Sequence, residues 1–593
     1  MQNRLQDALT SFQEAAKLDA LNLAAWGGMG EAQARMGDKM AARQSFAHLC
    51  AIIGGQAGDL GGLGGQLFGH GWSHAALALW QAAEKVDPAS AVWPANQASA
   101  LKLLERLGEA KVKAWWALGL DPGLDAANRV LGEMAEDAGD LQVAIRHFSA
   151  IAKPDAQVLA HLAQNHLLIG DGKQAAADFA RAAEQDSSFA SAALMALHYR
   201  PDISFAEIVE RHLHWGRQFP DPGRPPWRHK MGQPLRLGFV SSDFRHHATG
   251  VFLPPLLRGC RQGGWTVALY SNTRKEDALT QRFKEMCDDW RDITPLDDAQ
   301  AADLVQADGI DILFDLNGHT AGNRLGLFAL RPAPMQISFM DYVCTTGLSQ
   351  MDFLIHDGTQ LPPENAARFT ERVLYLEPDT LVYAPPAYAP DVSPAPFAKN
   401  GFVTFGSFNA LFKIGEDCIE LWSAILRELQ DSRLLIAAPN LKYDAAQERV
   451  KALFRKHGVD ASRLTLLGEA DHLEHLSRYG LVDVVLDSQP YSGGLTTCEA
   501  LWMGAPVIAM LGERIAGRHA ASHLKAVGLG ELVATDQDSY ARLAVELAKD
   551  AQRLVSLRHG LRSLALNSPL CDTGRYIRRF MSILVEYTSS LDG

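Results

Sequence analysis

Residues 483–512, DVVLDSQPYSGGLTTCEALWMGAPVIAMLG, hold the densest concentration of groups that can do chemistry. The apolar run DVVLD reads as a strand that delivers the chain to a turn containing Gly493 and Gly494. Thr496 and Thr497 then open a helical pattern, CEALWMG. The first amides of a helix have no partner inside it, so a helix start beside small hydroxyl residues suits a phosphate. Glu499 lies one turn further in, where its carboxylate can accept hydrogen bonds from ribose hydroxyls. A plain N-capped helix after a strand would share much of this pattern. The carboxylate and the G-x-P strand that follows favour the nucleotide.

A phosphate-binding turn of this kind needs a parallel sheet behind it. LRLGFVSSDF (235–244), TVALYSN, DILFDLNG, MQISFMDY and DFLIHD are short apolar runs separated by helical patterns. A Pro-rich break follows at 385–396, and the alternation restarts with FVTFGSF, RLLIAAPN, RLTLLGEA, VDVVLDSQP and PVIAML. Such alternation predicts an α/β fold with two Rossmann-like lobes. We place the lobes at 235–384 and 401–593, the second ending in a closing helix, with 385–400 as the connection. Ligands of doubly wound sheets bind at the carboxyl ends of the strands, in the cleft. Asn317 and His319 follow one such end and are candidates to line it, although ordinary turn chemistry places the same residue types there.

The segment 1–217 is helical by its apolar recurrence at three and four positions. A Gly is followed nine positions later by an aromatic in four places: Gly37 and Phe46, Gly71 and Trp80, Gly139 and Phe148, Gly170 and Phe179. A further unit is expected around Gly108 and Trp116. Each unit reads as a helical hairpin whose Gly allows the tight turn and whose aromatic plugs the gap. Stacked hairpins leave a groove for a protein or peptide. The Pro-rich stretch 218–234 reads as a linker.

The bulk composition narrows the function classes. A net charge of −13 over 593 residues excludes a general nucleic-acid binder, which would need a surplus of Lys and Arg. The seven cysteines are widely spaced with no C-x-x-C, so neither a disulfide framework nor a zinc ribbon is expected. The first residues lack the apolar core of a signal peptide, and no apolar stretch is long enough to span a bilayer. These features predict a cytoplasmic protein.

The segment 483–512 resembles the donor-binding motif of O-linked N-acetylglucosamine transferases and their bacterial relatives, and four further segments agree with it. SSDFRHHATG (241–250) resembles the loop that carries the family's active-site histidine, which puts His247 in that role. DLNGHTAGNRLGLFALRPAPMQISFMDY (315–342) resembles a specific family signature, above all in FALRPAP-x-Q. FGSFNALFKI (405–414) is similar to the segment whose lysine contacts the donor diphosphate, here Lys413. HLEHLSRYGLVDVVLD (472–487) is similar to the region where a histidine stacks on the base and an arginine follows, here His475 and Arg478. Arg478 can equally pair with Glu474 one turn back, and His247 can equally be a structural histidine.

The resemblance covers residues 235 to 585 and implies a GT-B type glycosyltransferase behind a tetratricopeptide-like repeat domain. It implies an inverting, metal-independent transfer to Ser or Thr of a protein acceptor held by the repeats, with a nucleotide-sugar as substrate and no cofactor. Three places depart from the family pattern: the loop Asp341-Tyr342-Val343-Cys344-Thr345-Thr346-Gly347, Leu495 where a hydroxyl is common, and Ala410 where an amide is. They leave the sugar open. Some bacterial relatives with this layout modify flagellin with a nonulosonic acid carried on cytidine monophosphate, so that donor and acceptor stand beside N-acetylglucosamine. A degenerate adaptor that only binds a protein partner is the alternative from another class.

Overall fold

The computed structural model describes residues 2–227 and 233–589. The chain divides into two compact units between Asn165 and His166.

The first unit is a run of helical hairpins. Leu23–Arg35 pairs with Lys39–Ile53, Ala57–Gly69 with Ser73–Val86, Val92–Leu103 with Leu107–Leu120, and Asp125–Asp137 with Leu141–Ser149. Gly37, Gly71 and Gly139 sit in the turns with φ of 86°, 77° and 76°, a conformation that disfavours a Cβ. The aromatic partner packs on a glycine of the preceding helix. A Cβ at Gly30 would lie 2.3 Å from Phe46, one at Gly64 would lie 2.6 Å from Trp80, and one at Gly132 would lie 2.7 Å from Phe148. The expected unit around Gly108 and Trp116 is present as the hairpin Val92–Leu103 with Leu107–Leu120, but neither residue plays the turn or plug role. Gly108 lies inside a helix and Trp116 is 55% exposed. The left-handed turn residue is Glu105, with φ 57°, so the turns fall at 37, 71, 105 and 139, each 34 residues apart. Here the plug is Ala114, buried in one cluster with Ala98. A glutamate in the left-handed region and an alanine in place of an aromatic leave no local signal.

The second unit begins at His166, so the expected boundary at 217/218 lies within it. Helices Gly172–Gln185, Ala190–Ala196 and Phe205–Gly216 precede the first strand. Leu194, Leu197, Phe205, Ile208 and Val209 share a core with Tyr342 and Cys344. Gly216 lets the backbone of Gly347 approach so closely that a Cβ would lie 1.8 Å from its carbonyl oxygen. These helices are built into the lobes, which their helical periodicity alone could not reveal.

Two parallel sheets follow. The first comprises β1 (Arg236–Ser241), β2 (Thr266–Ser271), β3 (Asp289–Asp292), β4 (Ile312–Asp315), β5 (Met335–Ser338), β6 (Phe353–His356) and β7 (Arg372–Tyr375), in the order β3-β2-β1-β4-β5-β6-β7. The second comprises β8 (Thr404–Ser407), β9 (Arg433–Ala437), β10 (Leu464–Leu467), β11 (Val484–Leu486), β12 (Val507–Met510) and β13 (Val533–Ala534), in the order β10-β9-β8-β11-β12-β13. Strands covered on both faces read as continuous apolar runs, which is why they were visible in the sequence. The last helix, Thr573–Ser589, returns to the first sheet: Tyr576, Phe580 and Leu584 join the core of Leu237, Phe239 and Phe314.

Candidate active site

A cavity of about 250 Å³ lies at the carboxyl ends of strands from both sheets. Ala248 and Thr249 reach it from the loop after β1, Met340 and Asp341 from β5, Asn409, Ala410 and Lys413 from β8, and Tyr491, Gly494, Leu495 and Thr496 from β11.

Lys413 ends a short turn, Leu411–Lys413, whose Leu411 is fully buried. Its Nζ sits 3.8 Å from the centroid of the Tyr491 ring and 3.5 Å from the carbonyl oxygen of Ser492. Burial pulls its pKa down from 10.5 to about 8, and the carboxylates of Asp487 and Asp341 limit the fall. Asp487, at the end of β11, moves the other way: burial raises it to about 7 although it accepts from the Gly493 amide at 2.7 Å and from Asn409 Nδ2 at 3.1 Å. Asn409 in turn accepts from Thr496 Oγ1 at 2.7 Å. A Cβ at Gly493 would lie 2.4 Å from that Thr496 oxygen, so only glycine fits the turn. Thr497 caps inward, donating to the Gly493 carbonyl at 2.9 Å. Gly494 and Thr496 therefore face the cavity at the start of helix Leu495–Trp502, while Gly493 and Thr497 shape the turn behind them.

The residues expected at the base and ribose form a neighbouring group. Glu499 is buried, and its two oxygens take His472 Nε2 at 2.8 Å and His475 Nε2 at 3.2 Å. Those contacts hold Glu499 below the usual carboxylate range against its desolvation. His475 stands edge-on to Phe408 and Tyr479. Arg478 is not directed to the cavity. It donates to the Gly468 carbonyl at 2.6 Å and to Glu474 at 2.8 Å, tying its helix to the preceding loop.

On the first lobe, His247 caps helix Ala248–Gln262, and its Nδ1 lies 3.2 Å from Thr249 Oγ1 and 3.6 Å from Asp341 Oδ2. His246 turns away, its ring edge against His472. The expectation that Asn317 and His319 line the cleft does not hold. Asn317 is buried, donating to Ser242, Asp243 and Thr320 and accepting from the Ser242 amide. His319 is buried between Ser191 Oγ at 2.9 Å and the Thr346 carbonyl at 2.9 Å, within a ring cluster of His212, Trp215 and Tyr342. The helices 190–216 cover it. Sequence reasoning missed Asn409, Tyr491 and His519 in the lining and Asp487 behind it; Asp487, a carboxylate ending an apolar strand, is the one that carried a readable signal.

Two doubly wound lobes meeting over an open helix start, with one closing helix crossing back, define a GT-B type fold. The family model for glycosyl transferase family 41 matches residues 223–383 and 398–580, and the chain belongs to that family. A solved mutant of the Thermobaculum terrenum O-GlcNAc transferase is 32% identical with a TM-score of 0.73, covering 84% of this chain and 96% of that one. The tomato protein named probable UDP-N-acetylglucosamine–peptide N-acetylglucosaminyltransferase SPINDLY is 36% identical over 400 residues, 66% of this chain and 43% of its own length. The Arabidopsis thaliana relative named SEC is 29% identical over 60% of this chain and 38% of its own length. The chain thus spans less than half the length of these curated relatives. Among the described residues, no helix is long and apolar enough to cross a membrane.

Proposed function

We propose that this chain is a cytoplasmic protein O-glycosyltransferase that moves a sugar from a nucleotide donor to a Ser or Thr hydroxyl, with inversion and without a metal. The observation that carries this reading is Lys413, a desolvated ammonium held over Tyr491 beside the open helix start at Gly494–Thr496. Charge building on a departing phosphate is stabilised there by preorganised donors. His475 and Glu499 take the base and ribose, His247 takes the acceptor side, and the tetratricopeptide-like hairpins hold the acceptor protein. The relatives' names favour uridine diphosphate N-acetylglucosamine as donor.

A nonulosonic acid on cytidine monophosphate, with flagellin as acceptor, is the second reading. One observation favours it: the cavity lining has a single lysine and no arginine among the described residues, which suits one phosphate better than two. Incubating the protein and flagellin with each donor, then weighing the flagellin by mass spectrometry, separates the two. Lys413→Ala should abolish transfer and leave capture of the acceptor intact. No mass gain with any uridine, guanosine or cytidine donor would favour an adaptor instead.

A further inference from the structure

Asp341 opens the loop that departs from the family pattern, and the fold holds it in place at a cost. Met340 before it adopts φ 74°, a left-handed conformation that a side chain rarely takes. That backbone puts the carboxyl into the cavity that Lys413 lines. Oδ2 is buried with no hydrogen-bond partner. Burial raises the carboxyl above its ordinary range, while His247, Thr249 and Lys413 draw it back. The other charged groups nearby are Asp243 and Asp315. Asp243 is already engaged, with Arg245 on one oxygen and Ser242 and Asn317 on the other.

His247 Nδ1 lies 3.6 Å from that Oδ2 and 3.2 Å from Thr249 Oγ1. If Nδ1 carries the proton, it can donate to Thr249 Oγ1 with the Asp341 carboxylate facing it. The competing arrangement has Nδ1 accepting from the Thr249 amide, which lies at 3.5 Å, the far limit of a hydrogen bond. Catalytic hydrogen bonds are commonly long before substrate binds and tighten afterwards.

We propose that Asp341 is a positioning residue for glycosyl transfer: with Thr249 it keeps the proton of His247 on Nδ1 and leaves Nε2 free to accept the acceptor's proton. The inference rests on the transferase reading above. In the step, the acceptor oxygen forms the new bond to the anomeric carbon, and its proton passes to His247 Nε2. The bond from that carbon to the phosphate oxygen breaks, and the nucleotide leaves with the electron pair.

Two measurements on the whole 593-residue chain test this. The first needs no activity: in protein labelled with ¹⁵N-histidine, with His247 assigned by its loss in His247→Gln, the wild type should show Nδ1 protonated and Asp341→Ala should shift the proton to Nε2. Asp341→Asn replaces the alanine variant if that one does not fold, and Asp341→Glu should restore the wild-type pattern. The second is a double-mutant cycle in the transfer assay. Asp341→Ala should lower kcat about 10- to 100-fold with the donor KM little changed, yet cost less than about threefold in a His247→Ala background. An Nε2-protonated wild type, or equal losses in both backgrounds, would overturn the role. So would transfer that requires Mn²⁺ and stops with chelator, since Asp243, His247 and Asp341 lie within 4.8 Å of one another and would then be a cation site. If the wild type transfers no sugar from any donor, the transferase reading falls and the His247 tautomer alone decides the fate of Asp341.

Discussion

With Lys413 facing the donor phosphate as proposed, donor affinity depends on pH. Its ammonium is shifted by burial from 10.5 to about 8, and only the charged form attracts a phosphate. A group with that midpoint is roughly nine-tenths charged at pH 7 and about one-tenth charged at pH 9. The second ionisation of a terminal phosphate lies near pH 6 and is about nine-tenths complete at pH 7, so it adds little slope above that. The dissociation constant should therefore rise about tenfold from pH 7 to pH 9. Lys413→Met removes a charge-assisted hydrogen bond of ~1.5–3 kcal/mol, weakening binding roughly 10- to 150-fold at pH 7, and should flatten the pH dependence. Calorimetric titration with uridine diphosphate and cytidine monophosphate at pH 7, 8 and 9 reads both effects. The stability effect has the opposite sign. The folded midpoint lies below the unfolded one, so the unfolded chain holds the proton between about pH 8 and 10.5 and stability rises with pH across that window. Lys413→Met should abolish that rise. A wild-type affinity that stays flat from pH 7 to 9, or a methionine variant that keeps the same slope, would refute the account of Lys413 as a desolvated ammonium facing the phosphate.

Burial lowers His212 from 6.5 to about 4, so below pH 6.5 the unfolded chain takes up the proton first. Stability should fall between pH 6.5 and 4 by roughly 3 kcal/mol from this group alone, and denaturant titrations of His212→Gln should show a shallower loss than wild type. Gly216→Ala drives a methyl into the Gly347 carbonyl and should cost about 3 kcal/mol or more, whereas a Cβ at Gly62 meets nothing within 4 Å and Gly62→Ala should stabilise its helix by up to ~1 kcal/mol; unequal shifts of this sign in urea midpoints are the check. A chain starting at His166 should be soluble and melt cooperatively. One starting at 218 strips the helices that cover Tyr342 and Cys344 and should aggregate; equal solubility of the two would contradict the division of the chain.

Local periodicity carried most of the architecture, and long-range geometry carried most of what it missed. Buried parallel strands announce themselves as apolar runs, and a glycine in a hairpin turn followed by an aromatic is a short-range pattern. Glu105 broke that pattern because any residue can be forced into the left-handed turn once its neighbours pack, and Ala98 against Ala114 replaced the glycine–aromatic fit without trace. Lys413 and the Gly494–Thr496 turn were legible because they follow the ends of β8 and β11. Asn317 and His319 sit on a strand end too, but the helices at 190–216, contributed from before the first strand, close over His319, and no local pattern encodes that cover. Arg478 matched a family motif by position yet serves its own helix. Asp341 teaches the converse. Resemblance marks the positions a chain shares with its relatives, and those shared positions account for the phosphate site. The carboxylate that the strained backbone at Met340 aims beside His247 lies in the loop that departs from the family pattern, so what sets this chain apart is to be sought there.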